Sequence, residues 1–105
     1  MSVTYWVYDP DDHAGSKTDS GYVGVTEDPE HRLHSLRSAG IVPRHAEMKI
    51  LFQGSRIECL MLEKQLRPRR NIGWNKAVGG VAPARMKHGY ASYGPKPFPD
   101  EFGPD

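Results

Sequence analysis

Two rhythms of apolar and polar residues alternate along the first 80 positions, one of period two and one of helical spacing. Residues 3–8, VTYWVY, are β-branched and aromatic and run into the turn sequence DPDD, which predicts a strand ending in a turn. Between Asp9 and Ser20 every residue except Ala14 is polar, glycine or proline, the composition of a surface loop. Residues 21–26, GYVGVT, predict a second strand that pairs with the first as a hairpin with a long connection. Tyr8 and Tyr22 lie near the loop-side ends of these strands, so antiparallel pairing is expected to bring them together.

Helical signals follow. Asp28 is placed to cap a helix with Pro29 at its first position, Leu33 and Leu36 mark its inward side, and Gly40 is placed to end it. The apolar centre of EMKILFQG predicts a third strand over 47–54. Ser55 and Glu58 then form a capping box, Ile57, Leu60, Met61 and Leu66 supply a helical stripe, and Pro68 stops the helix. In the turn-rich NIGWNKAVGG, Ile72, Trp74 and Val78 form an apolar cluster able to pack back on the sheet. The order β-β-α-β-α predicts a small α/β (α+β) domain over residues 1–80, a three-stranded antiparallel sheet flanked by helices. From Val81 onward the chain holds five of the nine prolines and no periodicity, so 81–105 is expected to be an irregular or partly disordered tail, with Tyr90, Tyr93 and Phe98 as anchors.

Composition narrows the function classes. A chain of 105 residues supports one modest core. It contains no apolar run long enough to span a membrane, and its start lacks the basic and apolar regions of a secretory signal, so a cytoplasmic protein without membrane partners is expected. A single cysteine, Cys59, excludes an internal disulfide and a cysteine-rich zinc knuckle, and its apolar neighbours mark it as a core residue. Charge is lopsided: residues 1–30 carry one lysine and seven acids, whereas residues 31–90 carry twelve lysines and arginines and three glutamates. The basic middle suggests a face for a polyanion, with a solvated surface as the alternative.

The ordered motifs resemble the GIY-YIG nucleases, a family named for two short strand motifs. Trp6–Val7–Tyr8 stands where that family has GIY, and Tyr22–Val23–Gly24 where it has YIG. Arg32 follows the second tyrosine by the family's ten positions, and LEKQLRPRRN supplies Glu63, Pro68 and Asn71 in the family's order. The likeness spans roughly residues 4–80 and is similar to the amino-terminal incision domain of bacterial excision-repair nucleases and to small phage-type members. The sequence departs from the pattern at Trp6, which replaces the first glycine, in the long loop between the tyrosines, and at Leu36, where many members have histidine or tyrosine.

The resemblance implies a divalent-metal-dependent endonuclease acting on DNA, with low sequence specificity in a chain that has no room for a separate reading domain. Target selection would come from a homo-oligomer or a partner protein. Glu63 would anchor one Mg²⁺ or Mn²⁺, a hard cation that accepts a single carboxylate and fills its other positions with water and phosphate oxygens. Arg32 would grip a non-bridging phosphate oxygen through its planar fork. Tyr8 would orient or deprotonate the attacking water, Tyr22 would support it, and Gly24 and Asn71 would be structural. The basic residues Lys64, Arg67, Arg69, Arg70 and Lys76, with Trp74 beside them, are candidates for phosphate tracking. Each residue also has an ordinary reading: strand tyrosines with wet hydroxyls, a solvated arginine, a Glu63–Arg67 pair one helical turn apart. His31 and His34 have the spacing of a metal pair but no third ligand. Two rivals stand beside the nuclease: a non-catalytic nucleic-acid-binding or regulatory module on the same fold, and a protein-interaction module using the aromatic, proline-rich tail.

Overall fold

A computed structural model describes residues 1–80; the predicted tail and its aromatic anchors lie outside the described residues. Strands β1 (Ser2–Tyr8), β2 (Tyr22–Thr26) and β3 (Glu47–Gly54) form one antiparallel sheet in the order β2-β1-β3, with helices α1 (Pro29–Ser38) and α2 (Arg56–Leu66). Element order and sheet type match the sequence expectation. No described helix is long and apolar enough to cross a membrane.

Local chemistry sets the element ends. Asp28 accepts the amide of His31 and Pro29 opens α1; past Ala39 the chain turns at Gly40 with φ +73°, a left-handed conformation in which a side chain is strained. At α2 the capping box is complete, with Ser55 accepting the Glu58 amide and Glu58 accepting the Ser55 amide.

The strands alternate, and that alternation decides what reaches each face. Tyr5 and Val7 point to one side of β1, where they pack with Leu36, Val42 and Ala46, flanked by Tyr22, Leu33, Met48 and Trp74. Thr4 points to the other side and donates to the Cys59 carbonyl at 2.9 Å, which places α2 on that face. Cys59 and Leu66 are the buried residues of α2. The predicted stripe is thus met in part: Leu66 is buried and Leu60 half-buried, Cys59 lies in the core as expected, and Ile57 and Met61 are each 44% exposed. A bulge between Thr4 and Tyr5 pairs them with Phe52 and Ile50, leaving Leu51 as the extra residue on β3.

Candidate functional site

The hairpin register determines which tyrosine meets Tyr22. The partner of Tyr22 is Val7, one residue short of Tyr8, and Tyr5 pairs with Gly24. A one-residue shift moves every side chain of a strand to the opposite face. Tyr8 therefore lies with Trp6, its ring stacked on the indole at 4.7 Å and its hydroxyl donating over 3.4 Å to Glu47. The expected meeting of Tyr8 and Tyr22 does not occur. Tyr5 takes that place: its ring stacks on Tyr22 with centroids 6.4 Å apart and lies over Gly24, where a β-carbon would collide with the Tyr5 hydroxyl. The glycine of the second motif thus clears room for the tyrosine of the first strand.

Arg32 rises from the first turn of α1 to the same spot. Its Nη1 donates over 3.4 Å to both the Tyr5 hydroxyl and the Val25 carbonyl, long bonds that rest the guanidinium against the end of β2. Glu63 enters from α2. Its Oε1 accepts the Gly80 amide at 2.9 Å, and the chain turning past it comes so close that a β-carbon at Gly79 would strike the Glu63 backbone. Tyr22, Glu63, Trp74, Lys76 and Val78 line a cavity of about 520 Å³.

The charges confirm that these groups share one field. Burial pushes the Tyr5 hydroxyl up to about 12, against the opposing hydrogen bond and charge of Arg32. Burial, then the Glu63 charge, raises Tyr22. Glu63 is itself raised by burial, opposed by the Gly80 amide and by the charges of Arg56, Arg32 and Arg67. Tyr5, Tyr22, Arg32 and Glu63, from β1, β2, α1 and α2, form one electrostatic cluster.

The basic candidates divide. Arg69, Arg70 and Lys76 are exposed and Lys64 is half-buried. Arg67 is 0% exposed and cannot track phosphate. Its Nε donates to Asn75 at 2.7 Å, Nη1 to the carbonyls of Lys17 and Leu66, and Nη2 to those of Ser20 and Gly21. Burial lowers its pKa, with Asp19 and Glu63 opposing. Arg67 is a structural hub that ties the long hairpin loop to the end of α2.

A second asparagine is structural beside Asn71. Asn75, buried, accepts the Val23 amide at 2.8 Å and donates to the Val23 carbonyl at 3.0 Å, capping the free edge of β2 as another strand would. Asn71 is exposed and holds a left-handed turn at φ 61°. His31 and His34 are exposed on α1. Among the described residues, Asp9, Asp11 and His45 bring ligand atoms together, but at the exposed start of the hairpin loop, where Asp9 already pairs with His45 at 3.0 Å; Glu63 is not among them.

Sequence reasoning missed Tyr5 and Arg56. Strand parity carries the signal for Tyr5, because Val3, Tyr5 and Val7 alternate onto one face of β1, where Tyr5 and Val7 join the apolar core. Arg56 sits inside the capping box, where its charge is no different in sequence from any helix-start arginine. No family model, curated protein or solved structure matches the chain.

Proposed function

We propose that the protein is a metal-dependent endonuclease whose reacting centre is the cluster of Tyr5, Tyr22, Arg32 and Glu63. The observation that carries this reading is the convergence of two tyrosines, an arginine and a carboxylate from four separate elements: Tyr22 and Glu63 line one cavity, Tyr5 stacks on Tyr22, and Arg32 donates to Tyr5. The resemblance to the GIY-YIG nucleases asks for these residue types, with Tyr5 in the role that the sequence pattern gives to Tyr8.

Glu63 fits a single hard cation. It is a carboxylate stripped of much of its water, with one oxygen committed to the Gly80 amide, and the charges of Arg56, Arg32 and Arg67 offset the cost of burying it only in part, which leaves a cation to complete the compensation. Mg²⁺ or Mn²⁺ requires one or two carboxylates and takes its remaining partners from water and phosphate. When bound, such an ion stabilises charge on the phosphoryl oxygens and makes water a better nucleophile.

The chain's own residues supply the rest. Arg32 uses only Nη1 for its two long bonds, so other donors of its fork serve a non-bridging phosphate oxygen and offset the charge that builds there. With a pKa near 12, the Tyr5 hydroxyl is ionised in only about one molecule in 10⁵ at pH 7. It therefore acts first as a hydrogen-bonding group that aims the attacking water, and works as a base only when positive charge arrives beside it. Tyr22 holds the second side of the same position. Lys76 lines the cavity and Arg69 and Arg70 are exposed, so all three are open to the phosphates of a nucleic-acid strand.

The test is incubation of the purified chain with single-stranded, duplex and branched DNA and RNA, with and without Mg²⁺ or Mn²⁺. Cleavage that requires the metal and disappears in Glu63→Gln supports the reading. Metal-independent cleavage, or nucleic-acid binding without cleavage on every substrate, overturns it in favour of the non-catalytic module.

A further inference from the structure

A second cavity, of about 300 Å³, opens on the other side of Trp74. Its walls are Trp6, Tyr8, Asp9, Asp12 and Trp74, and its floor is glycine backbone. Tyr8 stacks on Trp6, and the Trp6 indole nitrogen donates to the Ser20 carbonyl at 2.8 Å, so the wall is fixed before any ligand arrives. Gly73 packs so closely on Gly21 that a β-carbon there would strike its backbone, which keeps the floor flat and the space open.

The charged groups that line this cavity are the carboxylates of Asp9, which also meets His45 at 3.0 Å, and Asp12, while the Trp6 indole, the Tyr8 hydroxyl and the Ser20 hydroxyl donate to Ser20, Glu47 and Ser16. The Asp11 amide bonded to Asp9 holds the Asp9 carboxyl below the usual range, and Asp12 spends Oδ1 on the amides of Ala14 and Gly15. The Ser20 carbonyl is already taken by Trp6 and Arg67. Arg67 lies behind the floor, with the charge of Asp19 opposing it. None of the lining residues is cationic. Aromatic faces attract a cation through their quadrupole, and carboxylates beside them add direct attraction. The same carboxylates repel the phosphates that flank a nucleobase.

We infer that the pocket between Trp6 and Trp74, edged by Asp9 and Asp12, binds an organic cation of the guanidinium or alkylammonium class. Such a group is presented by an arginine or lysine side chain of a partner protein, or by a free polyamine. The site stands apart from Glu63 and Arg32, so its occupancy does not depend on the nuclease reading. It would let a basic partner dock on the acidic amino-terminal third of the chain and leave the basic residues free for nucleic acid.

Both tryptophans of the chain line this pocket, so intrinsic tryptophan fluorescence reports on it; Trp74 also lines the Glu63 cavity, so every titration is repeated in Glu63→Gln, where a change that belongs to this pocket persists. The experiment titrates the full chain, at fixed ionic strength, with N-acetyl-arginine amide, N-acetyl-lysine amide and spermidine. N-acetyl-citrulline amide serves as the neutral match and cytidine as a nucleobase. A saturable change is expected with the cations, with citrulline amide binding at least about fivefold more weakly, the equivalent of roughly 1 kcal/mol for one exposed charge interaction. Asp12→Asn keeps the acceptor that caps the loop and should weaken cation binding about threefold to fivefold at unchanged melting temperature. Tighter binding of the amino-acid amides than of spermidine assigns the cation to a partner's side chain; the reverse order assigns it to a polyamine, and either order upholds the site. Equal binding of citrulline amide, tighter binding of cytidine, or no saturable change with any cation overturns it.

Discussion

The arrangement proposed at Glu63 costs stability. Burial raises its pKa, so the folded chain holds this proton more tightly than the unfolded chain does. Its contribution is therefore most favourable below the unfolded pKa and is lost as pH rises through the folded value. At neutral pH the ionised carboxylate is a net liability in the metal-free protein. Glu63→Gln keeps the acceptor for the Gly80 amide and removes the charge, so it should melt at a higher temperature than the parent at pH 7 without metal. The difference should shrink toward zero as pH falls below about 4. Thermal melts across pH in the presence of a chelator check this, and an unchanged or lower melting temperature at pH 7 contradicts it. Gain of stability with loss of cleavage is the pattern expected of a site residue rather than a packing residue.

The elements are held in place by side chains that replace missing strands and turns. β2 is an edge strand, and Asn75 closes that edge with two hydrogen bonds to Val23. Asn75→Ala should cost about 2 kcal/mol and strip the Val23 amide of its protection, visible as faster hydrogen exchange at that amide in β2; unchanged exchange contradicts the role. This is also where sequence and structure part. Strands, helices, caps and their order were legible because each has a local signature: β-branched runs, Asp28 with Pro29, Ser55 with Glu58. Hairpin register was not, because the loop from Asp9 to Ser20 is too long to fix it, and one residue of shift exchanges Tyr8 for Tyr5. The face of α2 was legible in part: Leu66 of the stripe and Cys59 are buried as expected, but Ile57 and Met61, which fit the same stripe, are exposed, and hydrophobicity alone did not separate the two sets. Arg67 read as part of a basic cluster because its five acceptors include carbonyls 46 to 50 residues away in sequence.

Across the whole molecule, charge is segregated: acids crowd the first third and arginines and lysines the middle. If Arg69, Arg70 and Lys76 follow a phosphate backbone, log affinity for nucleic acid should fall linearly with log salt, and Arg69→Ala with Arg70→Ala should flatten that slope by up to about 2. Arg67→Ala should instead lower the melting temperature, since it removes a buried hub; binding measured at several salt concentrations separates the two effects. The central claim is that Tyr5, not Tyr8, faces the reacting phosphate beside Tyr22, Arg32 and Glu63. Its most direct measurement is the single-turnover rate of metal-dependent cleavage for Tyr5→Phe and Tyr8→Phe, each shown to be folded by circular dichroism. Tyr5→Phe should cut about 10²- to 10⁴-fold more slowly than the parent, the range for a positioned acid–base or water-orienting group, and Tyr8→Phe within about twofold of it. A Tyr5→Phe variant that cuts at the parent rate, or a Tyr8→Phe variant that loses cleavage in its place, contradicts the account.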